Sequence, residues 1–271
     1  MDFFNSEKYP LPSQTGSADL FEDKGIQVMF VFNHYNKNME NSHVIKVEKL
    51  VKRFPIGKGE FTALNGIDLQ FSRGEFAGLV GPSGSGKTTL LNIVGSLDTP
   101  TEGEAFVLDH AVSRLSAKES AWLRRKELGF IFQSYNLLAV HTVFENVEFP
   151  LLLLDYTASE RKKMVMDALE WVGITDKAKS KPPQLSGGEC QRVAIARAMV
   201  KKPSLVLADE PTANLDAANS HNILKTMENL NRDLKTTFLF ATHDDKVISY
   251  LKRKIYLIDG KVDKDEKIIN Q

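Results

Sequence analysis

Residues 81–88, Gly-Pro-Ser-Gly-Ser-Gly-Lys-Thr, fit the pattern G-x-x-x-x-G-K-[ST]. An apolar stretch, Phe76–Val80, runs into the loop, and a helical pattern follows it over residues 90–97. Glycines let such a backbone curl, so its N–H groups point inward beside the positive end of a helix and cradle phosphate oxygens. The candidate phosphate contacts are Gly81, Pro82, Ser83, Gly84, Ser85, Gly86, Lys87, Thr88 and Thr89. Lys87 would reach the β- and γ-phosphates of a nucleotide, and the Thr88 hydroxyl would coordinate Mg²⁺. Residues 204–210, SLVLADE, form an apolar run that ends in two carboxylates. Asp209 would hold the cation through water, and Glu210 would orient and polarise an attacking water. Taken together, the two motifs imply ATP hydrolysis with Mg²⁺.

A second glycine loop, Leu185-Ser186-Gly187-Gly188-Glu189, opens an amphipathic helix within KPPQLSGGECQR. No residue in it is an acid, base or nucleophile suited to catalysis alone. It reads either as a helix start or as half of a site completed elsewhere.

The elements that must position these residues alternate in type. Residues 43–48 and 64–71 alternate apolar with polar side chains, as half-buried strands do. Residues 104–108, 129–132, 205–208, 237–241 and 255–258 are further strand candidates, the last followed by an Asp259-Gly260 turn. Residues 115–127 and 142–201 read mainly as helices, with Thr157 and Glu160 forming a capping box. The pattern is α/β.

Of the 271 residues, 42% are apolar and 26% charged, with 35 basic and 35 acidic side chains. That balance gives no reason to expect a nucleic-acid binder. One cysteine, Cys190, allows no internal disulfide, and the six histidines show no metal-ligand spacing. No apolar run approaches the roughly 18 residues that a membrane span needs. Work at a membrane would need another chain to supply the membrane part. Residues 1–43 are expected to be a disordered or mis-annotated N-terminal extension, because Met39 offers a second start just ahead of a strand pattern. Residues 263–271 are expected to be a C-terminal tail.

GPSGSGKTT, FIFQ, LSGGE, VLADEPTANLD and FATHD occur here in the order and spacing of ATP-binding cassette ATPases. Residues 44–262 resemble that family. The resemblance implies a P-loop NTPase core, with a RecA-like sheet and an antiparallel β subdomain, plus a helical signature subdomain at about 134–190. It implies that Gln133 touches Mg²⁺ and the γ-phosphate region, and that His243 contacts the γ-phosphate. Ser186, Gly187 and Gly188 match the signature loop that binds the γ-phosphate held by an opposite protomer, and Asp216 matches the D-loop aspartate. Phe54 stands where the family has its adenine-stacking aromatic, commonly tyrosine. Cys190 lies where glutamine is frequent and reads as a helix residue without redox chemistry.

The wording around these motifs looks most like the MacB/LolD-type branch. That resemblance implies a homodimeric ATPase, peripheral on the cytoplasmic face of the inner or plasma membrane, driving a separate integral permease. Its expected task is export or extraction of a lipoprotein, peptide or hydrophobic compound. Mechanical signalling of the cell-division type, and a soluble cassette acting on ribosomes or DNA, are the alternatives. Tyr135, Leu137, Leu138, Phe144, Val147 and Phe149 are candidates either to line a groove for a permease helix or to pack inside the helical subdomain.

Overall fold

The computed structural model describes residues 43–268. The expectation for the N-terminal extension therefore lies outside the described residues, apart from His43, which already begins a strand. Strands β1 (His43–Ile56) and β2 (Gly59–Ser72) form a long hairpin that joins β4 (Glu102–Val107) and β5 (His110–Ala111) in an antiparallel sheet, ordered β2-β1-β4-β5. The second sheet is ordered β10-β9-β3-β8-β7-β6. Its members are β3 (Phe76–Val80), β6 (Leu128–Ile131), β7 (Leu205–Asp209), β8 (Thr237–Thr242), β9 (Arg253–Ile258) and β10 (Lys261–Lys267). All pair in parallel except β10, which returns antiparallel to β9.

The central strands read as continuous apolar runs because the parallel sheet is covered on both faces. Alternate residues serve opposite cores. Phe76, Val206, Phe238 and Phe240 join one hydrophobic cluster, while Ala77, Leu79, Leu205, Leu207 and Leu239 join the other. The Phe76 ring lies 4.7 Å from that of Phe240, and truncating Phe240 to Ala would cost about 3–5 kcal/mol.

Helix α1 (Lys87–Val94) follows the phosphate loop, and α2 (Ala117–Glu127) precedes β6. Helices α3 (Val143–Glu148), α4 (Ala158–Trp171) and α5 (Gly187–Met199) pack on the first cluster, separated by short 3₁₀ turns. Helices α6 (Ala217–Leu234) and α7 (Asp245–Tyr250) complete the set described. The Thr157–Glu160 capping box recurs at Ser116–Glu119, Thr142–Glu145 and Ser186–Glu189, so four helix starts share one S/T-x-x-E device.

One boundary needs correction. The tail expected from residue 263 is the β10 strand, paired to β9 as far as Lys267. Its sequence, KVDKDEK, lacks an apolar face because the strand lies at a sheet edge with mostly exposed side chains. A cation under it supplies what alternation does not: Arg253 binds Asp265 (2.9 and 2.7 Å), Glu75 (2.9 Å) and the Gln70 carbonyl (2.6 Å).

Candidate active site

The phosphate loop is shaped by its neighbours. Gly86 caps α1 at φ 99°, and a Cβ there would stand 2.6 Å from the Ala63 carbonyl oxygen. A Cβ on Gly81 would stand 2.2 Å from the Leu257 carbonyl oxygen. Only glycine fits either position. Lys87 is 7% exposed, and its ammonium donates to the carbonyls of Gly81 and Pro82, each at 2.7 Å. Burial lowers its pKa, opposed by the negative field of Glu210 and Asp209.

Beside the loop lies a cleft of about 390 Å³. Ser83, Gly84, Gly86, Lys87, Thr88 and Thr89 form one wall, and Gln133, Asp209, Glu210 and His243 another. Phe54, Phe61 and Ala63 of the β1–β2 hairpin line it as well. Strand β7 delivers Asp209, whose carboxylate accepts a hydrogen bond from the Thr88 hydroxyl at 3.1 Å. Burial raises its pKa most, the Thr88 bond lowers it, Glu210 raises it and Lys87 lowers it.

Glu210 follows with a left-handed φ of 45°, a conformation costing a side-chain-bearing residue on the order of 1 kcal/mol. The surroundings over-determine it. Its N–H donates to the Ala241 carbonyl (2.9 Å), and its carboxylate accepts from the Thr242 hydroxyl (3.0 Å). The other carboxylate oxygen lies 2.6 Å from His243 Nδ1, so Nδ1 carries the hydrogen of that bond. A water lying against this carboxylate would meet a base already oriented from two sides.

The structure thus brings together Lys87, Thr88, Thr89, Gln133, Asp209, Glu210, His243 and Phe54. It does not bring Ser186, Gly187, Gly188 or Asp216 to the cleft. Ser186 caps α5: its N–H donates to the Glu189 carboxylate (2.7 Å) and its hydroxyl accepts from the Glu189 N–H (3.3 Å). The bond from the Ser186 N–H is the main reason the Glu189 carboxyl lies below its ordinary range. Ser186 and Gly187 face solvent, whereas Gly188 packs on Asn219. Asp216 caps α6, accepting from the Asn219 backbone N–H (2.9 Å) and side-chain amide (2.6 Å).

Three features escape a reading of motifs. Phe61 lies opposite Phe54 across the β1–β2 hairpin; counting outward from Gly57-Lys58 would have paired them. Thr242, just before His243, orients Glu210. Tyr135 and Asn136 both adopt positive φ, 60° and 48°, and the Arg197 guanidinium donates to their carbonyls at 2.7 and 2.5 Å. The Tyr135 hydroxyl turns toward Gly187, where a Cβ would meet it at 3.1 Å.

Of the six groove candidates, Val147 is fully buried, and Leu137 and Phe144 pack against the core. Leu138 and Phe149 stay exposed. Phe149, Leu153, Phe132, Leu97 and Ala121 instead edge a separate hollow of about 460 Å³, with Arg124 and Lys201 at its rim. Lys201 donates to the Arg124 and Arg125 carbonyls at the end of α2, and burial pushes its pKa down to about 8. Cys190 is buried, and burial raises its thiol pKa away from the reactive thiolate.

The ABC transporter family model matches residues 64–213. The chain belongs to that family, as an ATP-binding and ATP-hydrolysing subunit. It is similar to the lipoprotein-releasing system ATP-binding protein LolD of Pseudoalteromonas translucida, at 46% identity over 82% of this chain and 96% of that one. LolD of Bacteroides thetaiotaomicron is 40% identical over 82% of this chain and all of its own length. A dimeric, post-hydrolysis structure of the cassette MJ0796 bound to ADP and phosphate matches with a TM-score of 0.78 and 39% identity, over 84% of this chain and 100% of that one. That cassette comes from Methanocaldococcus jannaschii.

Proposed function

We propose that two copies of this chain bind two ATP molecules head to tail and hydrolyse them to drive a separate membrane permease. The observation that carries this reading is the separation of the two glycine loops. One cleft gathers Lys87, Thr88, Asp209, Glu210 and His243, while Ser186 and Gly187 stand outside it and face solvent, with the Ser186 hydroxyl and the N–H groups of the helix start as donors. A γ-phosphate on one protomer would receive those donors from the other.

Lys87 holds the β- and γ-phosphates once its bonds to Gly81 and Pro82 yield to them. Glu210 orients the attacking water and accepts its proton, steadied by Thr242 and His243. Gln133 lies beside the same cleft. The donor set suits magnesium: a hydroxyl and a carboxylate oxygen from the protein leave further positions to phosphate and water, as this hard cation favours. Bound between Thr88 and Asp209, with Gln133 nearby, it would neutralise charge on the phosphates. Closure over ATP and release after hydrolysis form the working stroke.

The hollow edged by Phe149 and Leu153 is the proposed seat of a permease segment; on this reading the chain works peripherally, at the cytoplasmic face of the membrane. Similarity to LolD favours extraction or export of a lipoprotein, with peptide or hydrophobic cargo as neighbouring chemistries. Glu210→Gln tests the core of the proposal. It should stop turnover while trapping an ATP-bound dimer, visible by size exclusion with light scattering. A variant that hydrolyses normally, or stays monomeric in ATP with its permease present, would overturn it. Phe149→Asp should abolish co-purification with the permease and leave ATP binding intact.

A further inference from the structure

We propose that Asn214 is a positioning residue for Gln133: its side-chain amide holds the Gln133 carbonyl and so sets the direction in which the Gln133 side chain enters the cleft. The inference rests on the nucleotide-site reading above and deepens it.

Gln133 stands two residues beyond the end of β6. Its side chain lines the cleft, yet among the described residues it makes no hydrogen bond to another group of the protein. A side chain without a bond of its own points where its backbone aims it. That backbone enters an uncommon turn. Tyr135 and Asn136 lie in the left-handed region, and the turn is closed by the Tyr135 N–H on the Phe132 carbonyl (3.2 Å) and the Asn136 N–H on the Ser134 carbonyl (2.6 Å). Arg197 ties its far end, through the carbonyls of Tyr135 and Asn136. The tie at the near end is Asn214, whose Nδ2 donates to the Gln133 carbonyl at 2.9 Å, across 81 residues of sequence.

The segment that carries Asn214 is firmly held. It starts at Glu210 and folds into two successive turns, with the Ala213 N–H on the Glu210 carbonyl (3.3 Å) and the Leu215 N–H on the Thr212 carbonyl (3.0 Å). Pro211 and Thr212 are buried. The buried Gln191 amide donates to the Pro211 carbonyl (2.7 Å), and the Thr212 hydroxyl donates to the Asp244 carboxylate (3.3 Å). Asparagine suits the outer end of such a segment, because its amide offers N–H donors on a short stem. Aspartate would set acceptors against a carbonyl, and alanine has no donor to offer. Glu210 and Gln133, which face the same cleft, thereby share one support. That support also flanks the outward loop: a Cβ on Gly187 would stand 3.7 Å from the Asn214 carbonyl oxygen and 3.1 Å from the Tyr135 hydroxyl.

The experiment compares wild type, Asn214→Ala, Asn214→Asp, Gln133→Ala and the double variant Gln133→Ala/Asn214→Ala in the full chain. Asn214 is exposed, so its variants should keep the wild-type melting temperature. Asn214→Ala should lower kcat for ATP about three- to tenfold, the change that one net hydrogen bond makes, and leave KM near wild type. Asn214→Asp should lose at least as much. Adding Asn214→Ala to Gln133→Ala should cost nothing further, because the bond acts through the side chain already removed. Independently of turnover, hydrogen exchange of the nucleotide-free protein should quicken at the Tyr135 and Asn136 amides in Asn214→Ala. A wild-type kcat in Asn214→Ala, unchanged exchange at those amides, or a double variant in which the two losses multiply would overturn the assignment. The underlying reading fails differently: if Lys87→Ala hydrolyses ATP as fast as wild type, the cleft is not the reaction site, and the role given to Asn214 falls with it. Should Lys87→Ala be inactive while Asn214→Ala matches wild type, the assignment of Asn214 alone is lost.

Discussion

The loop at 81–86 is walled in by its own chain, with the Leu257 carbonyl against Gly81, the Ala63 carbonyl against Gly86, and the Gly260 N–H bonded to the Ser85 carbonyl at 3.2 Å. The loop at 186–188 has nothing comparable around its outer side. Ser186 and Gly187 are exposed, Gly187 with the Tyr135 hydroxyl at its side, and Gly188 is packed against Asn219. Both are glycine loops at helix starts, yet one is moulded from within and the other is presented outward. A phosphate-binding loop whose ligand enters from its own cleft can be moulded by its own fold. A loop whose ligand arrives on another copy must keep that face clear.

Removing the charge at the walled loop is expected to have the largest effect. Lys87→Ala should lower ATPase turnover about 10²–10³-fold, as loss of a preorganised phosphate clamp does. Near-normal hydrolysis would mean that the cleft is not the reaction site. At the outward loop, Ser186→Arg should cost about 10²-fold, with folding weakened only by the lost cap, about 1 kcal/mol. The sharper test is to mix the two variants. If the loops meet across protomers, each mixed dimer holds one intact site and activity returns. If both act within one chain, the mixture stays as inactive as its parts.

Much of this contrast was legible before the structure. The phosphate loop, the carboxylates Asp209 and Glu210, and the S/T-x-x-E helix starts are local in sequence, because a strand–loop–helix or a cap is fixed by neighbouring residues. What stayed hidden is fixed by pairing at a distance. Phe61 matters through its register with Phe54, and β10 lacks the alternation that would mark it because its hold is the Arg253 cluster. Val147 and Phe144 could be counted as groove or core equally well, since a helix of apolar residues does not say which side meets solvent. The positive φ of Tyr135 left no trace in residue type, and that of Asn136 only the weak one that asparagine tolerates the left-handed region.

That strained pair gives the next expected effect. Arg197 reaches both carbonyls with one planar fork, which a lysine's single ammonium cannot imitate. Arg197→Lys should destabilise the protein by about 1–3 kcal/mol, read from denaturant midpoints, and slow ATPase several-fold through a displaced Tyr135 beside Gly187. A full stability loss with normal turnover would confine the Arg197 contact to folding and detach it from the signature loop.

The smallest effect concerns the wall of the first loop. Leu257 and Gly260 belong to the β9–β10 hairpin, and Arg253 with Asp265 clasps that hairpin. The hydrogen bonds and charge of Arg253 hold the Asp265 carboxyl below its ordinary pKa, against a smaller opposing effect of burial. A folded-state pKa below the unfolded value means stability that is present above about pH 4 and lost as pH falls through the folded value. The clasp should be worth about 1 kcal/mol or less, because the carboxylate remains 35% exposed and screened. Asp265→Asn should therefore melt below wild type at neutral pH, and the gap should close on titration toward pH 3. A gap that stays constant over that range would assign the effect to packing around Arg253, and the wall of the phosphate loop would owe nothing to the charge that closes it.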